Sequence, residues 1–137
     1  MTPAEGARAR LIADAGVSAL VSSRVRVTQA DEADTVPYVL LSLVTDASAY
    51  HMGGEVGLAQ CRLQVDCIGG RPLDALDLSE AVRACLSGFR GVMGAVQVRR
   101  CHRIDRSGPE LYGPDNASQV GKYRVRMDFV LDYRESV

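Results

Sequence analysis

The sequence predicts an α+β fold: a mainly antiparallel sheet of four to five strands with two helices packed on one face, in the order α-β-β-β-α-β-β. Three stretches carry this. From Cys61 to Cys67 the residues alternate without a break, with Cys61, Leu63, Val65 and Cys67 on one side and Arg62, Gln64 and Asp66 on the other. A period of two with one apolar face reads as a half-buried strand. Leu78, Val82, Cys85 and Phe89 then recur at steps of four, three and four, the spacing of an amphipathic helix. Near the end, Tyr123, Val125, Met127, Phe129, Leu131 and Tyr133 alternate with Arg124, Arg126, Asp128, Val130 and Asp132, the clearest strand in the chain.

The elements follow in order. Residues 4–16 read as a first helix with Thr2 as its cap, Pro3 in its first turn and Gly16 as its end; Ala7, Leu11, Ile12 and Ala15 make an Ala-rich stripe. A further short turn of helix over Val17–Val21 is compatible with the pattern. Arg24–Val27 alternates as a short strand, and Gln29–Val36 is an acidic loop with Asp31, Glu32 and Asp34. Pro37 leads into Tyr38–Thr45, apolar on both faces and therefore expected inside the sheet. Asp46–Glu55 is turn-rich and longer than a hairpin turn requires. After the central strand, Gly69 and Gly70 break the pattern and Pro72 opens the helix, while Gly88 and Gly91 lie where it should stop. Val92–Ile104 carries Val96, Val98, Cys101 and Ile104, with a slip at Arg99-Arg100 that predicts a bulge or the start of a solvated extension. Arg106–Val120 holds Gly108-Pro109, Gly113-Pro114 and Asp115-Asn116 and reads as a second long loop.

Composition sets the outer bounds. At 137 residues the chain is expected to form one domain, 1–137. It is 47% hydrophobic and 24% charged, with a net charge of −1, so no global field steers it to nucleic acid or membrane. No apolar run approaches the roughly 20 residues that span a bilayer. Met1–Arg10 has no apolar core of a signal peptide, so synthesis in the cytoplasm is expected and the Asn116-Ala117-Ser118 acceptor pattern carries no weight. With two Phe and no Trp, the core must be aliphatic and stacking platforms for bases are few.

The chemistry-bearing residues form no catalytic pattern. Cys61 and Cys67 share one side of one strand roughly 20 Å apart, at about 3.3 Å per residue, too far for a disulfide or a shared zinc ion. Cys85 lies on the helical stripe and Cys101 on a later strand, and there is no Cys-x-x-Cys. The four read as reduced, buried, small hydrophobes. His51 and His102 sit in no metal-ligand spacing; Gly53-Gly54 precedes a strand and lacks the glycine pattern of a nucleotide loop. No catalytic, cofactor or metal residue is therefore expected, and no cofactor. Arg99, Arg100, Arg103 and Arg106, with Lys122, Arg124 and Arg126, could neutralise phosphates or meet a protein partner. The plainer reading is a solvated sheet face in which basic residues pair with acids. Pairing the central and last strands antiparallel puts Arg62 opposite Asp128 and Asp66 opposite Arg124, with Leu63 opposite Met127 and Val65 opposite Val125.

The order of these pieces resembles the bacteriophage tail-terminator family, also known as tail completion or head–tail joining proteins, with prophage and gene-transfer-agent relatives. The matching segments are Val17-Ser18-Ala19-Leu20-Val21 with Arg24-Val25, Val36-Pro37-Tyr38-Val39-Leu40, the strand Cys61–Cys67, the run Ala81–Gly91 and Tyr123–Phe129. The resemblance implies a structural, non-enzymatic virion protein at the neck end of the tail, made in the host bacterial cytoplasm. It implies a ring, typically hexameric, that stops tube polymerisation. Its partners would be its own copies, the tail tube protein and a head–tail connector or stopper protein, with no membrane and no sequence-specific nucleic acid. On physical grounds the two long loops are the expected contact elements, through Asp46, Tyr50, His51, Met52 and Glu55 in the first and Arg106, Tyr112, Asp115 and Asn116 in the second. Two other function classes fit the same residues: a small dimeric α+β binding or regulatory module, and a neck protein on the head side.

Overall fold

The computed structural model describes residues 2–28, 35–51, 54–112 and 122–134. Its elements are helix α1 (Pro3–Ala13), helix α2 (Ala15–Val21), strands β1 (Val25–Val27), β2 (Tyr38–His51) and β3 (Gly54–Gly69), helix α3 (Pro72–Leu86), and strands β4 (Gly91–Met93), β5 (Val96–Tyr112) and β6 (Lys122–Arg134). The strands form one six-stranded sheet in the order β1-β2-β3-β6-β5-β4. Every pairing is antiparallel except that of β1 with β2.

The α+β class and the antiparallel sheet match expectation, while the element count is higher. The first helix is two helices because Asp14 adopts an extended backbone and its carboxylate accepts from the Val17 N–H at 3.0 Å. Gly16 therefore lies inside α2 instead of ending α1, and Ala15 is exposed. At the front of α1, Thr2 accepts from the Glu5 N–H at 3.3 Å while Glu5 accepts from the Thr2 N–H at 3.4 Å, a reciprocal cap. The run Val92–Ile104, read as one strand, folds back at Gly94 and Ala95. This gives β4 and the start of β5, with Gly94 at φ 57° supplying the left-handed turn position.

The described parts of both long loops are strand. β2 and β3 continue to His51 and from Gly54, so Asp46–Glu55 is the end of a β-hairpin. β5 runs through Gly108-Pro109 to Tyr112. The sheet absorbs that dipeptide as a bulge between Ser107 and Glu110, with Gly108 at φ 102°. A Cβ at Gly108 would sit 2.6 Å from the Arg124 carbonyl oxygen. The bulge expected at Arg99 is present, between Val98 and Arg100.

The register between β3 and β6 differs by two residues from the expected one: Leu63 faces Phe129, Val65 faces Met127 and Asp66 faces Arg126. A period-two pattern is unchanged by a slip of two, so alternation fixes which face is buried but not which residues meet.

The core lies between the three helices and one face of the sheet. Leu11, Val21, Leu41, Val65, Val82 and Phe129 are all fully buried there. Close approach is set partly by Gly69, where a Cβ would come within 2.6 Å of the Ala75 amide at the start of α3. Tyr38, Leu40 and Ile68 form a smaller cluster with Val36 on the other face, which explains why the Tyr38–Thr45 run is apolar on both sides. Burial of side chains such as Val65 and Val82 stabilises by roughly 1.5–3 kcal/mol each. Val82→Asp should place an unpaired carboxylate in this core and leave the chain largely insoluble. Leu73→Asp, on the same helix but 69% exposed, should unfold at the wild-type denaturant midpoint. Equal midpoints for both variants would contradict this placement of α3.

Candidate assembly surface

The helix-free face of the sheet is an ionic lattice built by the polar positions of β3, β5 and β6. Arg62 meets Asp128 at 2.7 Å and Arg100 meets Asp132 at 2.8 Å. Arg124 meets Glu110 at 2.6 Å, and Arg126 lies 3.6 Å from Asp66. Gln60 donates to Asp132 at 2.9 Å and Gln64 to Asp66 at 3.2 Å. The expected Arg62–Asp128 pair thus forms as a diagonal contact, since Arg62 faces Val130 in the ladder. Lys122 lies over the Tyr38 ring at 5.5 Å. Most of the basic residues considered for phosphate binding are engaged here, while Arg99 and Arg103 are exposed.

Arg106 lies mid-strand on β5 and pairs with Glu80 of α3, which Arg83 also contacts at 3.0 Å. It is a strap between strand and helix, outside any loop. Asp46 accepts from the Tyr133 hydroxyl at 2.5 Å, and burial together with that carboxylate raises the phenol above its ordinary range. Tyr50, His51 and Glu55 lie at the end of the β2–β3 hairpin, where Tyr50 pairs with Glu55. Tyr112 pairs with Lys122 at the base of the β5–β6 connection. Met52, Asp115 and Asn116 lie outside the described residues.

The described ones among these residues are not brought together. β3 pairs with β6 from Leu58–Arg134 at one end to Gly69–Tyr123 at the other. The β2–β3 hairpin continues past the first end, and β5 reaches the β5–β6 connection at the second. The molecule therefore offers two hairpin ends at opposite ends of one sheet. The sequence pattern missed a second feature, the exposed apolar residues Leu43, Val44 and Ile104 on the outer strands. Their signal was the irregularity in alternation at each of those points.

The four cysteines are free and buried. Desolvation pushes Cys61 and Cys101 up to about 12 and Cys85 to about 11, and raises Cys67 further, so all four are neutral thiols near pH 7. Among the described residues no group of three or more His, Cys, Asp and Glu is placed to hold a metal ion, and no helix is long and apolar enough to cross a membrane.

A family model described as "Tail completion protein gp17" matches residues 7–129. A solved chain titled "Virion of native gene transfer agent (GTA) particle" is similar in fold, with a TM-score of 0.68 and 16% identity over 96% of this chain and 94% of that one. A second solved chain gives a TM-score of 0.55 and 12% identity over 92% of this chain and 96% of its own. No curated protein matches.

The charges on the sheet and on α3 make opposite contributions with pH. Hydrogen bonds from Arg106 and Arg83 hold Glu80 at about 2, below its usual 4.5. Its pairing therefore stabilises above about 4.5 and is lost as pH falls towards 2. Asp66 is raised because burial outweighs Arg124 and Arg126, so its charge opposes folding at neutral pH and protonation relieves that. Urea unfolding of Glu80→Gln should show a weaker acid loss of midpoint than wild type. Asp66→Asn should have a higher midpoint at pH 7, with the difference narrowing through the carboxylate range. A lower midpoint for Asp66→Asn at pH 7 would mean its ion pairs outweigh its burial.

Proposed function

Since the chain belongs to the tail completion protein gp17 family and is a structural component of a virion, we propose that it closes the neck end of a tail tube as a ring of its own copies. In this reading the ring, of six subunits, ends tube polymerisation and offers its other side to a head–tail connector or stopper protein. The observation that carries it is the placement of two hairpin ends at opposite ends of one sheet. A subunit in a level ring would then present one set of ends to the tube and the other to the head.

Tyr50, His51 and Glu55, with Asp46 behind them and Met52 next to His51 in the sequence, are the proposed contacts on one side. Tyr112, with Asp115 and Asn116 in the connection that follows it, supplies the other. Arg106 contributes by tying β5 to α3. Aromatic side chains such as Tyr50 and Tyr112 give large contact area with little rotamer freedom to lose. A ring interface is heterologous, one patch meeting a different patch, and must close on itself. Assembly should then be cooperative or templated by the tube end. The ionic lattice on the sheet and the buried thiols suit a structural element: many charges pair within the subunit, and the four thiols are held neutral by burial.

The test is a variant in which residues 49–57 are replaced by a short glycine-containing turn. These residues lie beyond the Leu58–Arg134 pair that ends the contact of β3 with β6, so the fold should persist. Electron microscopy of particles made with this variant should show tails of uncontrolled length, or tails unjoined to heads. Normal lengths and normal joining would contradict the role given to the hairpin.

A further inference from the structure

The two edges of the sheet are stepped, and the steps are complementary. On one edge, β1 covers β2 only from Val39 to Leu41; on the other, β4 covers β5 only from Val96 to Val98. Among the described residues no strand pairs with the outer side of β2 beyond Leu41 or of β5 beyond Val98, although the Gly88 N–H donates to the Cys101 carbonyl at 2.8 Å just past β4. The ladders relate these levels across the sheet. Leu41, which faces β1, shares a row with Val65, Met127 and Arg106, where β5 is uncovered. Val98, which faces β4, shares a row with Tyr133, Ala59 and Ser48, where β2 is uncovered. Wherever one edge carries an added strand, the other lacks one.

Between these levels both edges carry exposed apolar residues in the same row. Leu43, Leu63, Phe129 and Arg103 are linked in register. The next residue on each outer strand, Val44 on β2 and Ile104 on β5, is the extra residue of a bulge. Leu43 is 38% exposed, Val44 50% and Ile104 48%. Bulges aim side chains out of the ladder, and an exposed apolar residue at an open strand edge favours association.

We propose that copies of this chain join edge to edge, the β5–β4 edge of one meeting the β1–β2 edge of the next, so that their sheets become continuous. This rests on the ring reading above and names its subunit interface. In a level arrangement β1 of one copy runs antiparallel beside the middle of its neighbour's β5. The neighbour's β4 lies beside β2 near Ser48. β1 and β4 then share one strand position, leaving a notch at the level of Phe129. The notch is about 10 Å wide, two strand spacings, and Ile104 fills it from one copy and Leu43 and Val44 from the other. The contact is heterologous, as ring closure requires.

Particles carrying Val44→Cys, Ile104→Cys or both are treated with a short bismaleimide, the buried native thiols staying unreactive. The double variant should give a ladder of covalent oligomers ending at the ring size, and each single variant should stay monomeric on a denaturing gel. Ile104→Asp should keep the wild-type denaturant midpoint but fail to form rings seen by electron microscopy. Dimers from either single variant would mean two-fold pairing and overturn the proposal. Wild-type rings with no ladder from the double variant, or rings that persist with Ile104→Asp, would overturn this interface and leave the ring itself standing. Particles in which the wild-type chain forms no ring would overturn both.

Discussion

The pairing of β3 with β6 is the constraint on which the rest of the molecule depends. Leu58–Gly69 against Tyr123–Arg134 is the central ladder of the sheet, and it joins segments far apart in the chain. Because side chains alternate, that one register divides the molecule. Leu63, Val65, Met127 and Phe129 go to the helices, and Arg62, Asp66, Arg126 and Asp128 go to the opposite face. A slip by one residue would invert both faces and bury the lattice charges beneath α3, which is why the pair is specified so strongly. The β2–β3 and β5–β6 hairpins then inherit their positions from this pair, each extending one strand of it outward.

Each face answers a different physical demand. The helix-covered face is mostly aliphatic, with Phe129 fully buried on it. The other face sets charges of opposite sign against each other, so cations from β5 and β6 face carboxylates one strand away, Arg126 only loosely, 3.6 Å from Asp66 and with its buried Nε making no hydrogen bond. Exposed pairs of this kind add little stability singly. Their consequence is a broad surface whose arginines are engaged before any partner arrives.

Much of this is legible in the sequence. Strict alternation at Cys61–Cys67 and Tyr123–Tyr133 identified the two central strands and their buried sides, and the steps Leu78, Val82 and Cys85 identified α3 and its inner face, while Phe89, the fourth residue of that stripe, lies past the end of α3 at Leu86. The illegible parts share a cause: they depend on what neighbouring strands do. Gly108-Pro109 is a turn signal in isolation, and only the partner strand β6 makes it a bulge within β5. Asp46–Glu55 looks turn-rich because of its Asp, Ser and Gly residues, yet the backbone on either side of the turn can still pair with itself. The two-residue error in the β3–β6 register arose because charge pairs across strands form diagonally as well as directly, so Arg62 reaches Asp128 in the true register. The proposed contact residues separate in the same way. Tyr50 and Tyr112 are similar in composition and context, but topology sends them to opposite ends of the sheet.

A subunit with distinct ends and stepped, complementary edges is suited to form a closed layer with two different sides. The most direct measurement is a cryo-electron microscopy reconstruction of the neck of assembled particles, with this chain fitted into the density. The account predicts one closed ring of this chain between the last tube layer and the head, with the β2–β3 hairpin and the β5–β6 connection on opposite faces of the ring. Copies distributed along the tube, a location at the far tail tip, or both hairpin ends turned to the same face would contradict it.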